Sequence, residues 1–165
     1  MYQRICGQLR ALKDIYGRLL ALAEEKQPVL QANKNPEALR ALTEREEALV
    51  AQAAQAERSR MAMVAELAQT WGVPPEGLTV TELARRAGGE AGAALLAEGQ
   101  ALVALLRELQ GQNQMNRQLL EMNLSFAAFM LDTLAWEQNP SSIYGASGGA
   151  MEEGLESRRI LDSEV

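Results

Sequence analysis

Chemistry in a protein chain needs side chains that attack, ligate or move protons, and this sequence holds few of them. It has no histidine and a single cysteine, Cys6. Without His there is no Ser-His-Asp or Cys-His nucleophile pair, no usual zinc set and no phosphorelay histidine. A lone Cys excludes an intramolecular disulfide framework and fits a reducing cytosol. The acids closest together in sequence, Glu44, Glu46 and Glu47, are expected on an exposed helix, where no desolvation raises a carboxylate pKa. Gly88, Gly89 and Gly92 precede a helix, as a phosphate loop does. No strand leads into them and no Lys follows in place, so they read as a helix break. No catalytic, cofactor or metal residue is assigned, and the chain is not expected to be an enzyme.

What remains is recognition. Of the eighteen residues from Leu119 to Trp136, thirteen are apolar and only Glu121 and Asp132 are charged. These apolar residues cover most of the helix circumference, and a helix apolar nearly all round must be buried from several sides. A second subunit, the C-terminal tail or a client segment should cover it. Met and aromatic side chains suit a surface that accepts varied apolar partners. Just upstream, Asn113, Asn116 and Asn123 fall on positions spaced as a helical seam. Asn there costs stability and often fixes register or oligomeric state. One reading is a solvated seam where helices splay; another is interhelical hydrogen bonds to Glu46 or Arg60.

These residues require long helices to position them, and the composition supplies them. Ala and Leu occupy 27 and 25 of the 165 positions, against only seven aromatics; both are strong helix formers. A first helix is expected over 2–32, with Ile5, Leu9, Leu12, Tyr16, Leu19, Ala23, Lys26 and Leu30 forming a coiled-coil seam. Pro28 should kink its last turns or end it early. Asn35 caps a second helix over 36–71, with Pro36 in its first position. The seam of this helix is thin where Ala53, Ala56 and Arg60 fall. Residues 72–77 break the chain, and Thr81 is expected to cap a short helix over 82–87. The longest helix follows over 90–138, with a seam through Leu95, Gly99, Leu102, Leu106, Leu109, Asn113, Asn116, Leu120, Asn123, Ala127, Met130 and Leu134.

The expected fold is all-α: an elongated antiparallel three-helix bundle or coiled coil with a short extra helix before the last long one. Residues 1–138 form the helical domain and 139–165 a flexible Gly, Ser and Glu-rich tail. At ~1.5 Å per residue the last helix should overhang its partners by roughly 20 Å, near residues 127–138. The net charge of -6 offers no basic stripe to nucleic acid. No long uncharged apolar stretch suggests a membrane span, and residues 1–7 lack the core of a signal peptide.

The arrangement resembles the FlgN-type flagellar export chaperones. The resemblance rests on Arg45-Glu46-Glu47-Ala48-Leu49, on the hinge-like run from Leu67 to Leu83, and on Asn113-x-x-Asn116-x-x-Leu119-Leu120. Phe126-Ala127-Ala128-Phe129-Met130-Leu131 and Tyr144-Gly145 follow where that family has an apolar helix end and a Tyr-Gly tail element. The resemblance implies a cytoplasmic chaperone of hook–filament junction proteins, the first and third hook-associated proteins. It would bind their C-terminal helical segments and deliver them to the type III export apparatus. On this reading Phe126, Phe129, Met130 and Leu134 anchor the client, Asn116 and Asn123 orient it, and Tyr144 contributes from the tail. The alternative is a non-catalytic coiled-coil adaptor that homodimerises through the same half of the last helix.

Overall fold

A computed structural model describes residues 2–138. Regular structure among them is entirely helical: α1 (Tyr2–Ala32), α2 (Pro36–Trp71), a 3-10 turn (Pro75–Gly77), α3 (Val80–Ala87) and α4 (Gly89–Gln138). The chain divides into two units, Met1–Ser125 and Phe126–Val165. The expected tail, 139–165, lies outside the described residues.

Local chemistry explains the helix ends. Asn35 Oδ1 accepts the Ala38 N–H at 3.0 Å, with Pro36 in the first helical position and Glu37 at the positive end of the dipole. At the other end Gly72 adopts φ +63°, where a side chain would be strained. Its N–H donates to Gln69 O and that of Val73 to Ala68 O, the Schellman pattern. The short helix starts earlier than Thr81 would place it. Thr79, extended at φ -68° and ψ 162°, is the cap, and its hydroxyl accepts the Glu82 N–H at 3.2 Å. The physical reason is spacing: Thr79-x-x-Glu82 has the capping-box interval, whereas Thr81 would need its acid at Ala84. Nor does Pro28 end α1, which runs on to Ala32. The carbonyl that Pro28 leaves unpaired belongs to exposed Glu24, where water can satisfy it, and buried Ala23 and Leu30 hold the helix on either side.

Two apolar clusters organise the first unit. One joins Ile5, Cys6 and Leu9 of α1 to Val64, Leu67 and Ala68 of α2, with Leu78, Leu83 and Leu95 closing it. The other joins Leu19, Leu22 and Ala23 to Leu42 and Leu49, with Leu109 from α4. The start of α1 therefore meets the end of α2, and the two run antiparallel. Ion pairs of Lys26 with Glu46 and of Arg45 with Glu25 continue this alignment near the turn. Arg60 pairs within its own helix with Glu57, whose carboxyl it holds below the usual range by hydrogen bonding. α4 advances in the same direction as α1. Its Glu98 accepts from Lys13 Nζ at 2.6 Å and Arg10 Nε at 2.7 Å, and these two donors, Lys13 first, lower the carboxyl pKa.

α3 is pressed onto the start of α4. A Cβ on Gly92 would lie 2.4 Å from the Ala84 carbonyl oxygen, and one on Gly99 would lie 2.7 Å from Val80 Cγ1. The glycines of this region thus admit a neighbouring helix. By length and composition alone α4 is also apolar enough to cross a membrane: within Gly89–Leu134 an 18-residue window reaches a mean hydropathy of 1.2. An uncharged apolar run is a stricter criterion, since such a window can still hold two charges.

Gly92→Ala should therefore destabilise the protein by roughly 1–3 kcal/mol, since the obstacle is backbone. Gly111→Ala, which meets nothing within 4 Å, should stabilise it by about 0.5–1 kcal/mol through helix propensity. Urea denaturation of the two variants checks both signs.

Candidate functional site

The middle of α4 is fastened to the backbone of α1. Asn116 is 8% exposed, and its Nδ2 donates to the Ala23 carbonyl at 2.6 Å. One heptad on, Asn123 Nδ2 donates to the Leu30 carbonyl at 2.8 Å. Leu30 lies in the last turn of α1, where carbonyls lack an intrahelical partner, so Asn123 satisfies one of them. Gln112 adds a bond from Nε2 to Gln27 Oε1 at 3.0 Å. The partners are α1 carbonyls and a glutamine; neither Glu46 nor Arg60 is among them. Asn113 is exposed and takes no part.

The buried face of α4 also differs in detail from the expected seam. Leu109, Asn116 and Asn123 fall on it, but Gln112 and Leu119 fill the intervening positions, while Asn113 and Leu120 are exposed. Both frames share the residues at 109, 116 and 123, which is why spacing alone could not separate them. Asn116 Oδ1 has no hydrogen-bond partner. A buried acceptor without a partner costs stability. In the first unit α4 also leaves Met115, Leu120, Met122 and Leu124 exposed.

In the second unit the described helix presents Phe126 at 58%, Phe129 at 64%, Met130 at 42% and Leu134 at 48% exposure. Residues at i, i+3, i+4 and i+8 share one face, so these four form a single apolar stripe. Thr133 lies within it and returns its hydroxyl to the Phe129 carbonyl at 2.9 Å, which hides its polarity. Leu131, 67% exposed on an adjoining face, was not singled out as a site residue, although the same apolar run contains it. Large apolar side chains in this density suit contact with another amphipathic element. Tyr144 lies outside the described residues. Among the described residues no cluster of His, Cys, Asp or Glu could hold a metal ion.

The family model for the FlgN protein matches residues 1–152. The chain belongs to the FlgN family. Membership makes it a flagellar chaperone of protein export, and the match extends over both the fastened part of α4 and its apolar end. No curated protein and no solved structure matches the chain. In this FlgN-family chain, then, α4 is amide-bonded to α1 along one face in the first unit and exposes large apolar side chains in both units.

If Asn116 serves register, Asn116→Leu should leave the thermal midpoint unchanged or raise it. The Ala23 carbonyl keeps its intrahelical donor, and the orphan acceptor disappears. A loss of more than about 1 kcal/mol would show instead that the amide is a net source of stability.

Proposed function

We propose that this chain is a cytoplasmic flagellar type III export chaperone for hook–filament junction proteins, the first and third hook-associated proteins. It binds their C-terminal helical segments, keeps them from assembling early and delivers them to the export apparatus. The observation that carries this reading is the exposed stripe of Phe126, Phe129, Met130 and Leu134 in a FlgN-family chain.

The scaffold in this reading is an antiparallel three-helix bundle of α1, α2 and α4 with α3 as an extra helix. Phe126, Phe129, Met130 and Leu134 are the client anchors. Asn116 and Asn123, whose amide donors are engaged by α1, contribute by setting the position of α4. Tyr144 adds a contact from beyond the helix. Each anchor contributes about 1.5–3 kcal/mol when fully buried. Association itself costs an estimated 4–15 kcal/mol, so a few anchors give moderate affinity. That suits a complex that must come apart at the export gate.

The test is capture of a junction-protein C-terminal fragment by the wild-type chain and by Phe129→Asp/Met130→Asp. The double variant should lose at least about a hundredfold in affinity, since two desolvated anchors are each worth about 1.4 kcal/mol or more. Unchanged binding by a variant that is still helical removes the site. Failure of the wild type to bind any junction protein removes the assignment.

A further inference from the structure

The charges near the apolar stripe in sequence discriminate among the elements that could cover it. The chain holds sixteen Lys and Arg, yet none lies between Arg117 and Arg158. Over that span it carries six acids: Glu121, Asp132, Glu137, Glu152, Glu153 and Glu156. The cation at the near edge, Arg117, is already paired with Glu121 at 2.9 Å. Asp132 is exposed and follows Phe129 by three residues, which places it beside the stripe on the helix surface.

Like charges brought together across a packed interface oppose association, and opposite charges favour it. A second copy of this chain paired through the same segment would set acids against acids, with no Lys or Arg in either copy's segment to answer them. The chain's own residues 139–165 hold five acids and two Arg, the same sign as the face they would cover. Neither fits. Resting on the client-binding reading, we propose that the stripe of Phe126, Phe129, Met130 and Leu134 selects an amphipathic helix of another protein whose apolar face is flanked by Lys or Arg. Apolar contact supplies the affinity. Asp132 and the acidic, base-free run of sequence around it supply the preference, steer the encounter and discourage the chain from pairing with itself.

Three synthetic helical peptides with one apolar stripe and Lys, Gln or Glu flanks test this, titrated against the full chain by fluorescence anisotropy. The Lys-flanked peptide should bind tightest and the Glu-flanked weakest, roughly three- to thirtyfold apart at low salt for one to three exposed pairs. The spread should collapse at about 0.5 M salt. Asp132→Asn should narrow it and Asp132→Lys should shift preference toward the Glu-flanked peptide, while deletion of 140–165 should keep the order. Equal binding of all three peptides, with a junction-protein fragment still captured, overturns the charge preference and leaves the client site standing. No binding of any peptide or fragment overturns both. A tight homodimer that excludes every peptide overturns the proposal in favour of a second copy.

Discussion

Two side-chain amides set the position of the longest helix. Asn116 and Asn123 each donate to an α1 carbonyl 93 residues earlier in the chain, so one heptad of α4 is matched to one heptad of α1. Apolar packing between Ala- and Leu-rich helices is forgiving, because sliding by one heptad replaces one small or branched side chain with another. A directional bond to a fixed carbonyl is not. With these two made, Glu98 falls between Arg10 and Lys13 and Leu109 enters the second cluster. The cost is visible in the unpaired Asn116 Oδ1, and it is the kind of cost a register device carries.

Much of this was legible in the sequence, and the exceptions have physical reasons. The bounds of α1 and α2 follow from periodicity and from Asn35-Pro36, since long Ala- and Leu-rich stretches leave little choice of structure. The Asn residues were visible as misfits on an apolar seam. Their partners were not, because every residue offers a backbone carbonyl and nothing in a sequence marks the one in use. Spacing does not separate the 112/119 frame from the 113/120 frame, because the two share three positions. Thr79 and Thr81 compete as caps, and the three-residue interval to Glu82 decides for Thr79. Pro28 argued for an early end to α1, and tertiary packing overrode that local preference. The apolar run at the end of α4 is readable from its residue types, and the chain's flagellar chaperone family from the order of short motifs.

The first unit is fastened by the amides of Asn116 and Asn123, and the stripe of the second unit takes no part in the two apolar clusters. Exposed Phe and Met are a liability in a chain that meets nothing, and a sequence with acids but no Lys or Arg from 118 to 157 limits the liability by making self-pairing unfavourable. A chaperone needs this combination: an apolar surface available to a client, and a reason not to be occupied by its own kind.

Amide hydrogen exchange followed with and without a junction-protein C-terminal fragment locates the surface that the client covers. In the free chain, amides of 109–123 should exchange slowly and those of 126–134 quickly, since local opening is cheap where few buried contacts hold a helix. Addition of the fragment should slow 126–134 by about tenfold or more and leave residues 5–23 unchanged, one decade being 1.4 kcal/mol of added stability. Binding that protects α1 or α2 while 126–134 stays fast would contradict the account.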